Sequence, residues 1–161
     1  MTISDKLITV VLSSSHRDYG TESDCYFNIT NNLLDQTKKY ACRVKYIHFA
    51  IPNVSPMYNT MTTMFLVING LDLVDTYYKT PYFPFAAIDC STWTSVIALP
   101  ILYEPANALR IVRPKQFLWN IKFFQGDIAW NSLEAYPGSL TADSTRGRDW
   151  TMELQFCEIQ E

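Results

Sequence analysis

Histidine and glycine are both in short supply in this chain, which has two of the first and five of the second. A jelly-roll enzyme of the cupin kind needs several His and carboxylates converging on a metal. His16 and His48 lie far apart and no H-x-H occurs, which excludes that chemistry. The glycines, Gly20, Gly70, Gly126, Gly138 and Gly147, stand singly. A phosphate-cradling loop needs them clustered, and a nucleophile elbow needs G-x-S-x-G, which is absent. The four cysteines, Cys25, Cys42, Cys90 and Cys157, form no C-x-x-C pair. Zinc ligands usually come in such pairs, so no metal or other cofactor is expected and the thiols read as reduced core residues.

Basic charge is also in short supply. The net charge is −3 with a sequence pI near 5.3, which argues against a dedicated nucleic-acid binder. Two local clusters, Lys38, Lys39, Arg43 and Lys45, then Arg110, Arg113 and Lys115, read as solvated strand ends and loops. No window approaches the roughly 18 apolar residues of a membrane span. The run LITVVL follows Asp5 and is too short for a secretory h-region, so no signal is visible and synthesis inside a cell is expected.

Aromatic side chains, by contrast, are abundant. Four Trp, ten Tyr and nine Phe make up 14% of the 161 residues. They favour pleated, half-buried surfaces and protein interfaces. The length suits one compact domain, expected over 1–161.

Period-two alternation dominates. Strands are expected at Leu7–Ser13, Cys25–Thr30, Ala41–Ile51, Met64–Asn69, from Trp93, from Ala108, at Gln116–Phe124 and from Trp150. In the third, Cys42, Val44, Tyr46, His48 and Ala50 share one face; Arg43, Lys45, Ile47, Phe49 and Ile51 share the other. In the seventh, Phe117, Trp119, Ile121 and Phe123 oppose Leu118, Asn120 and Lys122. Helical pattern is scarce: a turn or short helix at Asn31–Tyr40, capped by Asn32, and another at Ser132–Tyr136. Pro52 and Pro56 end the third strand in a corner. About eight short strands with long connections predict an all-β sandwich of Greek-key or jelly-roll type.

Evidence for catalysis is thin. Ser14, His16 and Asp18 lie on one loop, where a triad seldom finds its geometry or an oxyanion hole. Cys42 and His48 share a strand face, but strand rise puts them roughly 20 Å apart. A pair of carboxylates of the glycosidase kind needs only two acids, and nothing selects such a pair. The chain is expected not to be an enzyme.

The order of several short motifs carries a resemblance. A loop S-x-x-R-D-like over Ser14 to Asp18 is followed by Ser23 and a strand with Phe27 and Ile29. A basic-flanked strand then ends in I-P-N (Ile51, Pro52, Asn53), with Tyr58 and Asn59 nearby. Over roughly residues 10 to 70 this resembles the penton, or vertex, proteins of virophages, Polinton-like viruses and related large DNA viruses with double-jelly-roll major capsid proteins. The resemblance implies a single jelly-roll β-sandwich of antiparallel strands, five copies of which close an icosahedral vertex beside the major capsid protein in the virion. A five-fold ring needs two different complementary patches per subunit. The long connections offer them: Tyr77, Tyr78, Tyr82, Phe83 and Phe85 in one, Arg146 and Arg148 in the other. The alternatives are a minor capsid or cement protein of the same fold, and a β-sandwich head that binds carbohydrate or a receptor.

Overall fold

A computed structural model of the chain describes residues 2–21, 24–29, 33–49, 63–74, 85–89, 101–104, 109–125 and 149–160. The described elements are eleven strands and a single 3-10 turn, Ser14–His16. The strands are β1 (Thr2–Ser13), β2 (Tyr19–Thr21), β3 (Asp24–Asn28), β4 (Tyr40–Phe49), β5 (Thr63–Asn69) and β6 (Leu71–Leu73), followed by β7 (Ala86–Asp89), β8 (Ile101–Tyr103), β9 (Arg110–Pro114), β10 (Leu118–Gln125) and β11 (Trp150–Gln160). All pairings are antiparallel.

Two sheets result. The front sheet runs β1-β11-β4-β9-β6, with β8 also on β4; the back sheet runs β2-β3-β10-β5-β7. The pairs are nested like one long hairpin: β1 with β11, β3 with β10, β4 with β9, β5 with β7. Successive pairs alternate between front and back, so almost every connection crosses from one sheet to the other. The chain is therefore an all-β antiparallel sandwich.

Alternation creates the core between the sheets. Along β11, Trp150, Met152, Leu154 and Phe156 point inward and are fully buried. Along β10, Trp119, Ile121 and Phe123 do the same from the other side. The rings meet edge to face, the arrangement their quadrupoles favour. Phe123 lies 5.8 Å from Phe49 and 5.4 Å from Trp150, and Phe27 lies 6.0 Å from Trp150, centroid to centroid. Cys42 is enclosed here, and its burial pushes the thiol well above the ordinary range, which keeps it protonated and unreactive.

One expectation about β4 is corrected. Ile47 and Phe49 do not share a face with Arg43 and Lys45. Tyr46 pairs with Glu153 and Val44 with Leu154, so Lys45 is an extra residue opposite no partner. This bulge switches the inward parity from Cys42 and Val44 to Ile47 and Phe49. A bulge resolves the oddity of a face that reads polar first and apolar later. Of the turn or short helix expected at Asn31–Tyr40, residues 33–39 form the turn. The Asp35 carboxylate accepts from the Thr37 N–H at 2.8 Å and the Thr37 hydroxyl at 2.7 Å, which tightens it. Those bonds hold the Asp35 carboxyl below its usual range.

Phe85 is a correction too. It was expected in an aromatic interface patch, but it is buried in the core beside the start of β7. The interface candidates Tyr77, Tyr78, Tyr82, Phe83, Arg146 and Arg148 lie outside the described residues, as do the corner at Pro52 and Pro56, the strand expected from Trp93 and the turn at Ser132–Tyr136. No helix among the described residues is long and apolar enough to cross a membrane.

Candidate functional site

The polar loop after β1 does not assemble a triad. Ser14, wholly buried, donates its hydroxyl to Asp149 Oδ1 at 2.8 Å and accepts from the Trp150 backbone N–H at 2.9 Å. His16 Nδ1 meets Ser15 Oγ at 3.1 Å, and Asp18 Oδ2 accepts from the Asn28 N–H at 2.6 Å. The three residues face three different partners. Ser14 instead fastens the end of β1 to the start of β11 across 135 positions of sequence. Ser14→Ala would strand a buried N–H, and we expect it to cost about 1–3 kcal/mol. The denaturant midpoint should fall at constant slope. An unchanged midpoint would show that the bond contributes nothing.

The two outer faces of the sandwich differ in chemistry. On the back sheet, Asn69 Nδ2 donates to Asn120 Oδ1 at 2.9 Å and Asn120 Nδ2 to Asp24 Oδ1 at 2.7 Å. Lys122 stands 3.9 Å from Asp24, and Tyr19 stacks on Tyr26 at 4.6 Å. This is the polar, hydrogen-bonded outer face usual for an antiparallel sheet.

The front face breaks that rule. Because Ile8, Val10 and Leu12 turn toward the core, Leu7 and Val11 turn outward, and both are more than half exposed. Leu102 turns outward opposite the core-facing Tyr103, and with Leu109 it is also more than half exposed. Ile3 adds a fifth large apolar side chain. A cluster of this kind on a sheet face marks an interaction surface more often than it marks idle surface.

Within this face lies a concavity of about 550 Å³ lined by Ile3, Leu7, Ala41, Arg43, Lys45, Leu109, Gln155 and Cys157. Its floor is an ordered polar chain. Arg43 Nε donates to Gln155 Oε1 at 2.8 Å, Gln155 Nε2 donates to Glu153 Oε2 at 3.1 Å, and Lys45 Nζ stands 3.6 Å from Glu153 Oε2. Gln155 is only 6% exposed although it faces outward, so the chain is fixed rather than solvated. A second, smaller concavity of about 260 Å³ lies between Ser4, Lys6, Leu33, Asp35, Lys38 and Glu158. There Lys38 pairs with Glu158 at 2.9 Å, and that hydrogen bond and charge raise the lysine's pKa.

No family model, curated protein or solved structure matches the chain. The site is therefore read from its own chemistry. Among the described residues no three His, Cys, Asp or Glu side chains converge as a metal site would require. What the front face offers is apolar area beside an oriented guanidinium. The sequence carried only a strand signal over Leu7 to Ser13, with apolar residues on both parities. The Gln155–Arg43 contact carried none, because it joins residues 112 positions apart.

Proposed function

We propose that the chain is a non-enzymatic capsid subunit of the single jelly-roll type, five copies of which close the vertices of an icosahedral virion. The observation that carries the reading is the strand order. A jelly roll is a long hairpin rolled so that its nested pairs alternate between two sheets. The order β1-β11-β4-β9 in one sheet and β3-β10-β5-β7 in the other supports that reading. The ordered motifs between Ser14 and Asn59 point the same way by resemblance to vertex proteins. A subunit of a shell needs contact surface rather than a convergent polar site, and the apolar front face supplies it. Its partners on this reading are further copies of itself and the neighbouring major capsid protein.

A closed ring is a heterologous interface with a defined stoichiometry, so mass is the direct test. Native mass spectrometry of the purified chain over a concentration series should give a species of five times 18.6 kDa, about 93 kDa. A stable dimer or trimer would overturn the vertex assignment and favour a minor capsid role.

A further inference from the structure

We infer that the front-face concavity is a docking site for an extended segment of another protein chain, one that carries a carboxylate beside an apolar side chain. Three observations lead there.

The first is charge. Arg43 uses Nε to hold Gln155, and that bond sets the plane of the guanidinium. Among the described residues its two terminal nitrogens have no partner and no carboxylate lines the concavity. Glu153, on the far side of Gln155, is engaged by Gln155 and Lys45. A guanidinium fork held in place with two open donors is a receptor for a carboxylate, which it can take through paired hydrogen bonds. Gln155 is the feature that separates this from an ordinary surface arginine. A nine-tenths buried amide on an outer sheet face, with both its polar atoms spent on orienting neighbours, fixes the fork before any ligand arrives.

The second is the shape of the apolar part. Small-molecule sites enclose most of their ligand. Here Ile3, Leu7 and Leu109 are 43%, 51% and 57% exposed, so the walls stand open. Val11 also faces outward on the same strand, beyond the exposed Thr9. A broad, open surface suits a polypeptide better than a compact molecule.

The third is the edge. β1 is twelve residues long, contains no proline, and pairs only with β11 among the described strands. From Leu7 to Ser13, beyond the register shift that separates Ile3 from Leu7, its other side carries a row of backbone N–H and C=O groups, which an extended chain can satisfy. Ile3 and Leu7 belong to this strand. Arg43 stands two strands away on β4, roughly 10 Å across the sheet. A segment paired at the edge would stand roughly 15 Å from β4, so one end can pair there while the other crosses over the face to bring its acid to Arg43. The inference needs no particular subunit stoichiometry, so it and the ring assignment fail separately.

Cys157 lines the concavity and provides the readout. Cys25 and Cys42 are fully buried, so in a Cys90→Ser background a thiol reagent should modify Cys157 first. The probe is a pool of acetylated hexapeptide amides with Asp or Glu at the third position and Leu, Ile, Val, Ser or Thr elsewhere. A matched pool carries Asn or Gln at that position. The acidic pool should slow modification of Cys157, and the amide pool should need at least tenfold higher concentration for the same protection. Arg43→Gln, at an exposed position, should erase the difference between the pools and leave the circular dichroism unchanged. Equal protection by both pools, or none from either at millimolar concentration, overturns the proposal. Protection by decanoate stronger than by the acidic pool also overturns it, in favour of a small amphipathic acid.

Discussion

Replacing Phe123 by alanine is expected to lower stability by about 3–5 kcal/mol, the range for deleting a buried aromatic ring from a packed core. For a chain of this size that corresponds to a fall in melting temperature of roughly 8–15 °C. Phe123 is the point where the sheets lock together. It comes from β10 at the centre of the back sheet and meets Phe49 of β4 and Trp150 of β11, both from the front sheet. Its removal leaves a void bounded by rings whose backbones are pinned in ladders, so the walls cannot close in. Phe117→Ala is the matched control. That ring precedes β10 and is 39% exposed, so its loss should move the transition by no more than about 0.5 kcal/mol. Thermal unfolding followed by tryptophan fluorescence reads both. Equal losses for the two variants would mean that the sandwich does not depend on this inter-sheet contact.

The pair Phe117 and Phe123 also marks what the sequence discloses. Alternation placed Trp119, Ile121 and Phe123 on one face, and the three are buried together. It placed Phe117 with them, because a period of two says nothing about where a strand begins. The same limit applies to β4, where alternation runs unbroken through A-C-R-V-K-Y-I-H-F and conceals the bulge at Lys45. Only the facing strand exposes it: β11 keeps one parity from Trp150 to Phe156 while its partner changes. The three-residue strands β2, β6 and β8 are too short to show a period at all, and pairing with a longer neighbour defines them. The front-face site divides similarly. The strand at Leu7–Ser13 was readable, but apolar residues on both its parities hide that Leu7 and Val11 face out, and the bond from Arg43 to Gln155 depends on β4 and β11 becoming neighbours.

Gly70→Ala should destabilise the protein by about 3–5 kcal/mol, from two sources that can be separated. Gly70 links β5 to β6 with φ near +112°, a conformation that L side chains rarely adopt and that costs about 1–3 kcal/mol when imposed on them. A Cβ there would also lie 2.6 Å from Trp119 Cδ1 and 3.3 Å from the Leu118 carbonyl oxygen. Trp119 is fully buried and its indole N–H is tied to the Gln116 carbonyl at 3.0 Å, so it cannot swing aside without loss. Overpacking of this kind adds about 1–3 kcal/mol. The Gly70 carbonyl in turn accepts from the N–H groups of Lys115 at 2.8 Å and Gln116 at 3.3 Å, so a shift of this link disturbs the entry to β10 as well. A double-mutant cycle with Trp119→Leu divides the two effects. If the clash dominates, Gly70→Ala should cost much less in the Trp119→Leu background than in the parent. If the backbone dominates, the cost should be the same in both. A cost below about 1 kcal/mol in the parent would mean that the link relaxes to a negative φ, and that the Gly70 carbonyl does not fix the start of β10.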